Sequence, residues 1–289
     1  MLEIIEDTLI DSIKLLPFLF ITYLIMEYIE HKMGDKSKAA IKKSGKFGPV
    51  IGSIIGVFPQ CGFSVSATNL YAGRIITLGT LIAVYLSTSD EMLPILISEA
   101  VSPIIILKIL GIKIVIGMIA GIVIDFVINL VVKKDNVKEE LDNEIGHICE
   151  DGHCHCNENG IFKSALKHTL NIFVFIILIT FIINIVVYFV GEDTIASWFL
   201  NKPIVGPMIA SLIGLIPNCA ASVIITNLYL ENVISLGSMI AGLLTGAGVG
   251  LAVLFKTNKR LKENIFITVL MYCIGVISGI TIELIGVVL

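Results

Sequence analysis

Two short motifs stand inside otherwise apolar stretches of the chain: Phe58-Pro59-Gln60-Cys61-Gly62 and Ile216-Pro217-Asn218-Cys219-Ala220. Each sets a thiol beside an amide, and each is followed by the same polar series. Ser64, Thr68 and Asn69 follow the first, and Ser222, Thr226 and Asn227 follow the second. Hydroxyl, amide and carbonyl oxygens suit hard cations, whereas thiolates suit soft ones. Asp90 and Glu91 follow Ser87-Thr88-Ser89 within a third apolar stretch. A carboxylate at membrane depth is costly, and points to cation coordination or proton exchange. The competing reading is a solvated pair at the outer interface. For the cysteines and their small neighbours it is close helix packing. Asp125 and Glu283 are further candidates for ion coupling, or else solvated charges near helix ends. A polar segment between these regions holds His147, Cys149, His153, Cys154, His155 and Cys156, with Glu150 and Asp151 among them. Imidazole and thiolate at this density suit Zn(II), Cu(I) or another soft ion. No domain surrounds the cluster, so it is not a zinc finger; its rival is a linker of accidental composition.

The elements that position these groups must lie in a bilayer. Hydrophobic residues make up 56% of the 289 positions and charged residues 15%, with a mean hydropathy of +0.95. Soluble domains carry about 25% charged residues, and only lipid can cover so much apolar surface. The lipid bilayer is thus the first expected partner. The net charge of −4 is confined to a few loops and offers no basic face for nucleic acid. The acidic start, with no small-residue cleavage site after it, predicts that the first apolar run is retained as a span. Three cysteines crowd into one loop and three lie in apolar segments, which is not a disulfide framework. The chain has no GxxxxGK[ST], no Ser–His–Asp arrangement and no HExxH. ATP-driven transport and catalysis are therefore not expected. No cofactor is required, and a metal ion would be substrate. Homo-oligomerisation is left open.

A spanning helix needs about 20 apolar residues. Stretches 9–29, 75–97, 112–132, 166–190, 233–255 and 265–289 qualify. Stretches 49–71 and 207–229 are each interrupted at a proline motif, where the backbone loses a donor and the preceding residue is pushed from the α conformation. The two interruptions are 158 residues apart, and this offset holds without a gap. It pairs Gly48-Pro49 with Gly206-Pro207, Cys61 with Cys219, and Ser64 with Ser222. It also pairs Thr68-Asn69-Leu70-Tyr71 with Thr226-Asn227-Leu228-Tyr229, and Gly117, Gly121 and Asp125 with Gly275, Gly279 and Glu283. Chance alignment of apolar segments would match Ile, Leu and Val, not this series. Two equivalent halves are therefore predicted.

Lysine and arginine set the orientation. Lys32, Lys36, Lys38, Lys42, Lys43 and Lys46 follow the first span, which makes that loop cytoplasmic. The equivalent loop, 191–202, carries Glu192 and Asp193 and one lysine, and reads as external. Around 99–103 there is no basic residue, whereas the equivalent region holds Lys256, Lys259, Arg260 and Lys262. The bias swaps sides, so the repeat is read as inverted. The chain can then reach the correct side only if 49–71 and 207–229 are re-entrant hairpins, with arms of about 15 Å each. Gly242 to Gly250 is read as a close-packing stretch within a span. Lys14, Lys108 and Lys113 run against the orientation. Lys108 is expected on an interfacial stretch before Gly111, and the other two are expected to snorkel.

The paired tips, the Ser87-Thr88-Ser89-Asp90-Glu91 segment and the His/Cys loop together resemble the family of ten-segment heavy-metal exporters, whose members are labelled manganese transporters or arsenic efflux proteins. The resemblance covers nearly the whole chain. It implies efflux of a metal or metalloid, with ten segments if each hairpin arm counts as one. The expected protein is an all-α polytopic membrane protein of two inverted-topology repeats. Each repeat has three spanning helices and one re-entrant broken-helix hairpin. Residues 1–134 form the first repeat, 135–162 a cytoplasmic His/Cys-rich linker and 163–289 the second, with both termini external. The expected function is secondary-active export of a divalent heavy metal or metalloid, of the manganese or arsenite class, by alternating access between the hairpin tips. The alternative is a membrane-embedded metal sensor or accessory subunit.

Overall fold

The computed structural model describes residues 47–58, 61–89, 92–132 and 204–286, together with isolated helical positions within 13–24 and 162–185. The described residues are helical, with no strand among them. Helices α1 (Gly48–Gly56), α2 (Cys61–Ala72), α3 (Leu78–Ser87), α4 (Met92–Ser98) and α5 (Pro103–Val132) are followed by α6 (Val205–Gly214), α7 (Cys219–Leu230), α8 (Leu236–Thr245), α9 (Val249–Thr257) and α10 (Leu261–Ile285). The starts of α2, α3 and α5 are each 158 residues before those of α7, α8 and α10.

Local sequence explains the boundaries. Pro49 lies in the first turn of α1, where its missing N–H is no loss. Thr77 and Ser235 cap α3 and α8, their hydroxyls accepting from the amides of Thr80 and Ser238 at 3.1 and 3.2 Å. Gly286 ends α10 in the left-handed conformation, φ 68°.

Stretches 75–97 and 233–255, expected as unbroken spans, are each broken in two. The first breaks after Ser87. The Ser87 and Thr88 hydroxyls turn back onto the carbonyls of Ala83 and Val84 at 2.8 Å, and Thr88 leaves the helix with ψ 127°. The second breaks at Gly246-Ala247-Gly248, where Gly248 takes φ 53°, ψ −144°. The glycine-rich stretch is thus a helix break as well as a packing surface. Helix α5 also starts earlier than the expected 112, and carries both Lys108 and Gly111 within it.

Among the described residues, four stretches are long and apolar enough to cross a membrane: Leu78–Ser98, Pro103–Leu130, Leu236–Thr257 and Leu261–Ile285. Their burial divides them into two kinds. Leu236–Thr257 is 94% buried, while Pro103–Leu130 and Leu261–Ile285 are 28% buried. The broken stretches are therefore central, and α5 and α10 are peripheral. The outer faces of α5 and α10, with Ile119, Phe126, Phe266 and Ile277 exposed, are apolar surfaces suited to lipid.

Small residues let the helices approach closely. A Cβ on Gly121 of α5 would lie 2.8 Å from Pro49 and 3.0 Å from Ala83, so α1, α3 and α5 meet there. Gly279 of α10 stands in the same relation to Pro207 and Ala241. Along α1, Gly48 lies against Thr80 and Gly56 against Ser87, so α1 runs parallel to α3. Helix α2 returns to the start of α3 through the turn at 73–77. Helices α1 and α2 therefore form a hairpin open toward the start of α3. Gly206 against Ser238 and Gly214 against Thr245 give α6 and α7 the same relation to α8. The returning arms cross over between halves: α2 packs on α9, and α7 on α4.

Candidate functional site

The ends of α3 and α8 meet in the centre of the molecule at a lysine. Lys113 of α5 is fully buried. Its Nζ donates to the carbonyl of Thr88, just past the end of α3, and to that of Leu243 in the last turn of α8, the latter at 2.9 Å. This corrects the expectation that Lys113 snorkels to an interface. A residue well inside α5 that packs on the end of α3 cannot reach a bilayer surface. The exposed Lys108, five residues earlier, faces outward.

Around this junction lie the hairpin arms. Thr68 is fully buried. Its hydroxyl donates to the Ser64 carbonyl at 2.8 Å, one turn back in α2. It also pairs with the Tyr85 hydroxyl, and both hydroxyls reach the Gly250 carbonyl of α9 at 3.1 Å. A Cβ on Gly250 would lie 2.9 Å from the Ser64 Oγ, so only glycine lets α9 approach α2 this closely. In the other hairpin, Asn218 precedes α7 in an extended conformation and is buried, as are Ser222 and Thr226. The Thr226 hydroxyl donates to the Ser222 carbonyl at 2.7 Å. A Cβ on Gly246 would lie 3.6 Å from the Ser222 Oγ. Ser64 and Ser222, one from each hairpin, therefore flank the same break between α8 and α9. Asn69 is buried one position after Thr68, and Asn227 is half-buried.

Cys61 and Cys219 are the first residues of α2 and α7, but their side chains lie outside the described residues. So do Gln60, Asp90, Glu91 and the cluster His147, Cys149, His153, Cys154, His155 and Cys156. The neighbours of the acidic pair are described: Ser89 and Met92 are buried, and the Ser89 hydroxyl donates to the Val57 carbonyl at the end of α1. The α3–α4 break is thereby joined to the first hairpin's entering arm. Among the described residues, no three His, Cys, Asp or Glu side chains come together.

Asp125 and Glu283 are not part of this junction. Asp125 accepts from the Thr77 hydroxyl at 2.7 Å and the Gly79 amide at 2.9 Å, at the start of α3. A carboxylate there meets the positive end of the helix dipole. Glu283 lies against Gly237 at the start of α8. Both stand about 15 Å from the breaks, the length of α3 and α8.

A second polar contact joins the two halves of the chain. Arg74, in the turn before α3, holds both carboxylate oxygens of Glu263 in the first turn of α10, at 2.9 and 3.1 Å. The Tyr71 hydroxyl donates to the same carboxylate. Donating these hydrogen bonds to the Glu263 carboxylate raises the Arg74 pKa above its ordinary value, keeping the guanidinium charged. Lys113, Tyr85 and the Arg74–Glu263 pair are the residues that sequence reasoning missed as site components. Lys113 carried a legible signal, a charge inside an apolar run whose equivalent at 271 is methionine.

Apolar peripheral helices, central broken helices and buried polar contacts at the breaks define a multi-pass membrane protein with an internal polar junction. The chain belongs to the family described as "putative, 10TM heavy-metal exporter", whose model matches residues 2–192 and 169–287. No curated protein and no solved structure matches it.

Proposed function

We propose that the chain is a secondary-active exporter of a divalent metal or metalloid ion, working by alternating access at the junction where α3 and α8 break. One observation carries this reading. Each half contributes a broken helix, and the returning hairpin arm of one half packs on the broken helix of the other. Irregular backbone at membrane depth is tolerated only where it is buried in protein or lines a water-filled cavity, and in transporters it forms the substrate site. Thr88, Ser89, Ser64, Thr68, Asn69, Asn218, Ser222, Thr226 and Asn227 offer oxygen donors there, and Cys61, Cys219, Gln60, Asp90 and Glu91 extend the set.

Two inverted repeats are the arrangement that such a cycle needs, and contacts along α10 support it. The turn before α3 is bonded to Glu263 at the start of α10, whereas the start of α8 lies at Glu283, 20 residues on. That separation is about 30 Å, a membrane thickness. The hairpins would then be re-entrant from opposite sides. The Arg74–Glu263 contact, beside Lys259 and Arg260, would lie on the cytoplasmic face. The His147 to Cys156 loop is proposed as a cytoplasmic metal-capture element outside the transport path. No cofactor beyond the transported ion is needed.

The test is flux in proteoliposomes against a panel of Mn(II), Zn(II), Cu(I) and arsenite, with and without an imposed proton gradient. Gradient-dependent movement of at least one of these ions is expected. Stoichiometric metal binding without flux of any ion would replace export with sensing.

A further inference from the structure

Two helix ends converge on Lys113. The last carbonyls of a helix lack partners within it and carry the negative end of its dipole. The Thr88 and Leu243 carbonyls belong to such ends, one from each half, and both accept from the same ammonium. Oxygen atoms so arranged make a position for a cation. Burying an ammonium at membrane depth is costly. Space-filling does not explain it: the equivalent Met271 of α10 is also fully buried, so the core at this depth accepts an uncharged chain of similar length.

We propose that the Thr88 and Leu243 carbonyls form a binding position for a hard divalent cation. The Lys113 ammonium is a tethered competitor that fills this position until the cation replaces it. This deepens the export reading and rests on it. Carbonyl oxygen is a ligand for Mn(II), Mg(II) and Ca(II), and a poor one for trivalent arsenic, so this position selects hard cations over soft ones. Replacement also has a structural consequence. The ammonium joins the end of α3 to the end of α8. Its withdrawal on cation entry releases that link between halves, and its return closes the position behind the departing ion.

The experiment is Mn(II) binding to the purified full-length protein in detergent, read from the paramagnetic resonance signal of the free ion. Lys113→Met and Lys113→Gln remove the competitor, and both are expected to bind Mn(II) about tenfold or more tighter than wild type. Lys113→Arg keeps a charge in the position and is expected to bind no tighter than wild type. The wild-type protein supplies a measurement that needs no substitution. Saturating Mn(II) should increase modification of Lys113 by an amine-reactive reagent, read by mass spectrometry. Neutral variants that bind no tighter than Lys113→Arg, or Lys113 labelling that Mn(II) leaves unchanged, overturn the proposal. Mn(II) flux by the wild type alongside that result would leave export standing. Tightened binding without flux of any ion would instead overturn export and leave the cation position standing. A wild type and variants that all fail to bind Mn(II) would overturn the proposal as well.

Discussion

At the scale of residues, the chain uses the same polar types in its two halves for different contacts. Thr68 and Thr226 both bond back one turn, to Ser64 and Ser222. The Thr68 hydroxyl additionally reaches Tyr85 and the Gly250 carbonyl, so the first hairpin is bonded into the second half. Gly250 is the residue that permits this. Gly250→Ala would set a methyl group 2.9 Å from the Ser64 side chain and 3.0 Å from its backbone carbonyl carbon. Overpacking of this kind costs about 1–3 kcal/mol. A lower melting temperature in detergent is expected, and an unchanged one would show that α9 and α2 can separate freely. The thiols and the carboxylate make a separate prediction. Measured side by side, Cys61→Ser and Cys219→Ser should reduce flux of a soft ion about tenfold or more and spare Mn(II), because serine keeps the size but removes the soft ligand. Asp90→Asn should do the reverse. Cysteine variants with wild-type flux of every ion would make the thiols packing residues.

At the scale of elements, the two central breaks share hydroxyls that bond back in the last turn, and differ in the backbone that follows. After α3 the serine and threonine hydroxyls compete for carbonyls and loosen the last turn. After α8 the Thr245 hydroxyl likewise bonds back, to the Ala241 and Gly242 carbonyls at 3.3 and 3.0 Å, but here the backbone then turns through Gly248 at φ 53°, ψ −144°. Side chains other than glycine rarely adopt that conformation. Gly248→Ala is expected to destabilise the protein by about 1–3 kcal/mol, read as a loss of thermal stability. An alanine variant as stable as wild type would mean that the break does not need this conformation. The hairpins are short helices with small residues along the buried face, Gly48, Gly52 and Gly56 in α1, each set against α3. That close contact lets an arm of only nine residues be held within the molecule.

At the scale of the whole molecule, the peripheral helices α5 and α10 run beside the central pair and expose apolar faces. One end is fastened between halves by Arg74, Tyr71 and Glu263. The equivalents of Arg74 and Glu263 at the other positions are Asn232 and Ile105, which cannot form an ion pair. In the proposed alternating-access cycle the two ends would thus differ in what must be broken to open them. The proposed inverted arrangement makes a direct prediction for labelling in intact cells. Cysteines introduced at Lys38 and Lys259 should react only from the cytoplasm, and one at Asp193 only from outside. Reaction of the Lys38 and Asp193 positions from the same side would rule the inversion out.

Composition alone determined that the chain lives in lipid, because no aqueous fold could cover so many apolar residues. The 158-residue offset located the hairpins and the elements that follow them, since Pro, Gly, Cys and Asn carry local conformational signals that need no tertiary context. Starts at Cys61 and Cys219, and at Leu78 and Leu236, fall on that offset. The breaks after Ser87 and at 246–248 were not legible in the same way. Hydropathy averages across a short polar or glycine-rich interval, and continuous apolar runs on both sides resemble one helix. Lys113 was visible as a charge in an apolar run, but its direction was not. A lysine side chain can snorkel outward or turn inward, and the choice depends on which carbonyls lie within its reach. Only the packing of α5 against α3 and α8 brings the Thr88 and Leu243 carbonyls to one ammonium. They are 155 residues apart in the chain, and no local pattern encodes that meeting.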